Sequence, residues 1–141
     1  MKIEKCKNHA TSAGAMSKIG DVGKSAFVVE EHMLACKVGS GSVSAFSTPF
    51  LVALAEAAAC DALRDKLEPG NTSVGTSISV SHVLASGVGE RVEAVATVVA
   101  VDGRKISFSF EAWDSSKQKI GHGTHDRVVL NSDRFHAKLK K

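Results

Sequence analysis

At Glu68-Pro69-Gly70 the sequence changes its hydrophobic period, and that switch limits the folds open to it. Before the break, Val52, Glu56, Ala59/Cys60, Leu63 and Leu67 recur at the spacing of one helical face. Thr48 suits an N-cap and Pro49 the first helical position, so a helix is expected over about 48–66. The Pro-Gly pair then ends it. After the break the period is two: Val74, Thr76, Ile78, Val80 and His82 share one strand face, and Gly75, Ser77, Ser79 and Ser81 the other. A Val/Ala strand is expected over 91–101 and a hairpin turn at Asp102-Gly103. The return strand aligns Ile106, Phe108, Phe110 and Ala112, and a last strand covers about 120–130. Upstream, residues 25–29 form a shorter apolar strand and 38–44 a Gly/Ser loop. Residues 1–24 read as an N-terminal arm outside the 25–141 domain.

Four strands joined by short connections must pair antiparallel, because parallel neighbours need long crossovers. One helix laid on such a sheet is an α+β architecture. Its core has to come from Val, Ala, Ile and Leu, because 141 residues include only six Phe, one Trp and no Tyr. Eighteen basic against fifteen acidic side chains leave +3, too even a balance for a nucleic-acid surface. No apolar run approaches the roughly 18–20 residues of a membrane helix. Cys6, Cys36 and Cys60 are odd in number and widely spaced, which fits a reducing cytoplasm better than a disulfide framework.

Several catalytic signatures fail on spacing. Gly20-Asp21-Val22-Gly23-Lys24-Ser25 ends like a phosphate-binding loop, but the required first Gly position holds Lys18. Gly39-Ser40-Gly41 has Ser44 where a dinucleotide loop has its third Gly, and no Ser occupies a Gly-x-Ser-x-Gly elbow. His122 and His125 fall on opposite faces of a strand, so no metal site is expected there. Two other positions are more informative. Glu56 interrupts the most apolar stretch of the chain, and His82 interrupts the apolar face of the strand packed against it. Each is open to two readings, a polar group satisfied within the core or one half of an acid–base pair where helix meets sheet. Gly75 is either a bulge or a place where a ligand meets bare backbone.

Strand, long helix and four antiparallel strands is the layout of the hotdog fold, and residues 47–129 resemble the fluoroacetyl-CoA thioesterase-like family within it. The resemblance is carried by Thr48 followed by Glu56, by Leu67-Glu68-Pro69-Gly70, Val74-Gly75-Thr76 and Val80-Ser81-His82, then by Val101-Asp102-Gly103-Arg104 and Gly123-Thr124-His125-Asp126-Arg127. It implies a long central helix wrapped by a curved sheet of about five strands, pairing as a homodimer or dimer of dimers. It also implies hydrolysis of a short-chain acyl-CoA by Thr48, Glu56 and His82, with Gly75 and Arg127 contacting substrate. Neither metal nor cofactor is implied, coenzyme A being part of the substrate. The family's lid segment contains Phe and Pro, whereas Lys37-Val38-Gly39-Ser40-Gly41-Ser42 has neither. Only Phe46 and Phe50 are near enough to line an acyl site, and an acyl group other than fluoroacetyl is expected. A hydratase or dehydratase of the same fold would add water to an enoyl-CoA without releasing thiol, and a non-catalytic acyl-CoA binder would release no product.

Overall fold

The computed structural model describes residues 17–139. Five strands, β1 (Val22–Val28), β2 (Asn71–His82), β3 (Arg91–Asp102), β4 (Lys105–Trp113) and β5 (Lys119–Asn131), form one sheet in the order β1-β3-β4-β5-β2. All four pairings are antiparallel. A short helix, α1 (Ala35–Val38), precedes the central helix α2 (Thr48–Ala62), and α3 (Ser132–Leu139) follows β5. This is the expected α+β hotdog arrangement, with α2 against the inner face of a curled sheet.

The inner face of the sheet is apolar. Val92, Ala94, Ala96 and Val98 of β3 are buried with Ile106, Phe108, Phe110 and Ala112 of β4, on the face that alternation predicts. From α2 come Leu51, Leu54, Ala55, Ala58, Ala59 and Ala62. The small alanines let the helix approach closely. At Gly23 of β1 a Cβ would overlap the backbone of Ala58 and Ala62, so that contact admits only glycine. Ser25 Oγ donates to Leu54 O over 2.7 Å and holds the same strand to the helix.

The structure revises several boundaries. The first strand begins at Val22 rather than 25, because Val22-Gly23-Lys24 pair with Thr97-Ala96-Val95. Residues 22–24 of the expected arm are therefore strand, and 1–16 lie outside the described residues. Ser47, not Thr48, is the N-cap of α2: its Oγ accepts the Phe50 N–H. The helix ends at Ala62, short of 66, where 63–66 tighten into i→i−3 bonds and Asp65 turns to φ 63°. Lys66 Nζ then reaches Asp21 at 2.8 Å. In the β3–β4 hairpin Asp102 pairs with Lys105, so the two turn residues are Gly103 and Arg104. Helix α3 was not anticipated; the Asn131 side chain accepts the Arg134 N–H and starts it.

The largest revision lies in β2. Its register against β5 slips between Gly75 and Ser77, leaving Thr76 as an extra residue. Ser73 and Gly75 therefore face α2 on one side of the slip, and Ile78, Val80 and His82 on the other. Strict alternation had put Gly75 and His82 on opposite faces.

Gly23→Ala should destabilise the fold by about 3 kcal/mol, the upper end for an overpacked contact whose neighbours are backbone. Thermal unfolding measures it, and an unchanged Tm would show that α2 can draw back from β1.

Candidate active site

With Ser47 capping α2, the hydroxyl of Thr48 is free for another partner. It lies 2.9 Å from Nδ1 of His82, near the end of β2. Phe46 meets the imidazole edge-on, with ring centroids 6.3 Å apart. Nε2 of His82 is buried and has no hydrogen-bond partner among the described residues. Burial pushes the His82 pKa below the ordinary imidazole value, so the ring is neutral at pH 7. One nitrogen is thus fixed by Thr48, and the other can take or give a proton.

A second cluster surrounds Glu56. The expected enclosure of this carboxylate in apolar surroundings is not what the structure shows, since its side chain is 41% exposed at the margin of the core. Its Oε2 accepts from Arg127 Nη1 at 3.2 Å. A Cβ at position 75 would collide with Oε2, so Gly75 makes room for the carboxylate. Gly75 and Arg127 are register partners across β2 and β5. Arg127 is only 6% exposed and is held along its length, with Nε donating to Ser73 Oγ (2.9 Å) and Nη2 to Ser73 O (3.1 Å). His125, 3% exposed, completes the group, its Nε2 lying 3.1 Å from Arg127 Nη1.

The expected site residues thus fall into two groups. Thr48 and His82 are brought together, as are Glu56, Gly75 and Arg127. No hydrogen bond or ion pair joins one group to the other, and eight helical residues separate Thr48 from Glu56 by about 12 Å along the axis. The convergence of Glu56 on His82 expected from the two apolar faces does not occur within one chain. Of the two phenylalanines, Phe46 is 2% exposed and packs beneath His82, while Phe50 is half-buried with its ring edge-on to His32. Ser73 and His125 belong to the second group and were not anticipated. His125 shares the inward phase of Arg127 and Val129 at i+2 and i+4, a signal present in the sequence. Among the described residues no three His, Cys, Asp or Glu are grouped to hold a metal ion.

A five-stranded antiparallel sheet wound against one central helix is the hotdog arrangement, and the relatives of this chain make it a hotdog-fold thioesterase. Within that class the chain belongs to the fluoroacetyl-CoA-specific thioesterase family, whose model matches residues 29–133. A fluoroacetyl-CoA thioesterase of Streptantibioticus cattleyicolor is 40% identical over 96 residues, 68% of each chain. A crystal structure of a fluoroacetyl-CoA thioesterase variant with acetyl-CoA superposes with a TM-score of 0.81 at 33% identity, covering 87% of this chain and 96% of the other. A Thermus thermophilus thioesterase-superfamily protein has the same TM-score at 23% identity over 87% and 90% of the two chains, a likeness of fold alone.

Because His82 is neutral in the folded chain and its pKa is lowered there, unfolding takes up a proton as the pH falls below about 6.5. The stability held with the neutral ring is full above that value and declines toward the lower folded pKa. The Tm of His82→Gln should accordingly fall less between pH 7 and 5 than that of the unmodified protein. Parallel Tm curves for the two would contradict it.

Proposed function

We propose that this thioesterase hydrolyses a short-chain acyl-CoA to the free acid and CoA, with Thr48, His82, Glu56 and Gly75 as its chemical groups. The observation that carries the reading is the Thr48–His82 hydrogen bond, which leaves a buried, neutral Nε2 with nothing to bind. The named substrate of the relatives carries a two-carbon acyl group, which favours a short chain here.

Thioester hydrolysis needs a proton taken from water, a developing oxyanion stabilised and a proton supplied to the departing thiolate. Glu56, aimed by Arg127, takes a proton as water attacks the carbonyl carbon. The Gly75 backbone N–H, beside Glu56, serves the oxygen that gains charge. As the carbon–sulfur bond breaks, the neutral Nε2 of His82 takes that proton from Glu56 and delivers it to the thiolate sulfur, which restores both groups. Thr48 fixes the ring throughout. Neither a metal nor an organic cofactor enters this scheme.

The two half-sites meet when two copies pair. Strand β2 is an edge of the sheet, twelve residues long, and contains no Pro, Lys, Asp or Glu, its bulge at Thr76 being the one edge-blunting feature along it. Two-fold antiparallel pairing along that edge sets the Glu56 half of one copy toward the His82 half of its partner. In this reading the enzyme is a homodimer with two shared sites.

Release of free thiol from acetyl-, propionyl-, butyryl- and longer acyl-CoA tests the reaction, with the highest kcat/KM expected among the shortest. His82→Ala and Glu56→Ala should each lower kcat at least about 100-fold, within the range general acid–base groups supply. No thiol release from any of them, or unchanged rates in both variants, would refute the proposal. Light scattering should separately give a mass near twice that of one chain, and a monomer that turns over fully would remove the shared site.

A further inference from the structure

The buried imidazole of His125 has no part in the scheme above, yet three strands fix its position. We propose that His125 is a positioning residue for Glu56, acting through Arg127; this rests on the reading of Glu56 as the carboxylate of the reaction.

Nδ1 of His125 is 2.8 Å from the carbonyl oxygen of Ser77, which can only accept, so the proton sits on Nδ1. Nε2 is left with a lone pair, 3.1 Å from Arg127 Nη1 and 3.8 Å from Glu56 Oε2, and of these two only the guanidinium can donate to it. The same Nη1 donates to Glu56 Oε2. With one Nη1 hydrogen directed at the imidazole and the other at the carboxylate, both donors of that nitrogen are committed. The remaining edge of the guanidinium is committed to Ser73. Rotation of the guanidinium would therefore break contacts on both sides.

His125 is itself immobilised. Its ring stacks on Phe108 of β4, centroids 6.1 Å apart and planes 28° apart. The Ser77 carbonyl is available because the register slip at Thr76 re-aims the backbone just beyond Gly75. The slip thus serves both ends of one chain of contacts, clearing space for Glu56 at Gly75 and anchoring the imidazole that orients Arg127. A histidine serving only to fill the core would need no acceptor aimed at a cation.

Asparagine and glutamine separate these roles. His125→Asn can keep a donor near the Nδ1 position for Ser77 O but offers Arg127 no acceptor. His125→Gln can place a carbonyl oxygen near the Nε2 position. With acetyl-CoA as probe substrate and thiol release as readout, His125→Asn should lower kcat about tenfold with KM within about twofold. His125→Gln should recover kcat to within about threefold of the unmodified enzyme. On the residual turnover of Glu56→Gln, adding His125→Asn should change nothing further, because its effect passes through that carboxylate. Full kcat in His125→Asn, equal losses in Asn and Gln, or losses that multiply in the double variant would each overturn the proposal. Should the Asn variant fail to fold, kcat of the Gln variant alone and combined with Glu56→Gln decides in its place. If Glu56→Gln alone retains full turnover, the catalytic reading of Glu56 is what fails. If Glu56→Gln loses turnover and His125→Asn does not, only the role of His125 fails.

Discussion

The short distance between α2 and the sheet governs the rest of the molecule. Few large rings are available, so the chain closes its core by bringing backbones together rather than filling a wide gap. Ala55, Ala58, Ala59 and Ala62 form the contact surface of the helix, and Gly23 admits it to β1. A helix seated so closely buries the apolar residues that face the sheet and leaves polar ones at the margins. Glu56 emerges at such a margin, beside β2 and β5, where an arginine can meet it without leaving the core. The carboxylate is thus both reachable and fixed.

Close seating would be of little use if β2 alternated without interruption. A one-residue change of phase exchanges the two faces of a strand. The slip at Thr76 makes that change between Gly75 and His82, two positions an odd number of residues apart. Both then face the helix, one beside Glu56 and the other beside Thr48. The unpaired backbone this costs is not wasted, because the Ser77 carbonyl finds the His125 ring. One irregularity therefore aligns both halves of the site.

The strands and the presence of the helix were legible from their periods, but the stripe through Val52, Glu56 and Cys60 was not the buried face, which runs through Leu51, Leu54, Ala55, Ala58 and Ala62. Short connections made the antiparallel order legible too. Glu56 and His82 stood out because each breaks an apolar pattern. What patterns cannot carry is pairing across strands. The slip at Thr76 is a property of β2 against β5, so the sequence alone assigned the wrong face to Gly75. The environment of Glu56 was misread because its partner, Arg127, lies 71 residues away. Arg127 entered only through family resemblance, and His125 was weighed against His122 as a metal pair. Its inward phase with Arg127 was the better signal. Thr48 looked like a cap because capping chemistry suits both Ser and Thr, and the neighbouring Ser47, the better cap of the two, took that role.

On the proposed reading, Arg127 shows why the candidate site has two halves. Burying a guanidinium costs several kcal/mol unless its donors are satisfied, and here Ser73, Glu56 and His125 do so from three directions. That arrangement ties Glu56 to β5 and Gly75, far along β2 from His82. Moving the carboxylate toward the imidazole within one chain would strand the buried charge, so a single copy cannot trade one group of contacts for the other. Pairing along the β2 edge offers a way to unite them that disturbs neither. On the proposed reading, the second copy supplies the missing half-site intact, and its binding obeys mass action like that of any ligand. The rigid support that fixes Glu56 in each chain is then also the reason that two chains are needed.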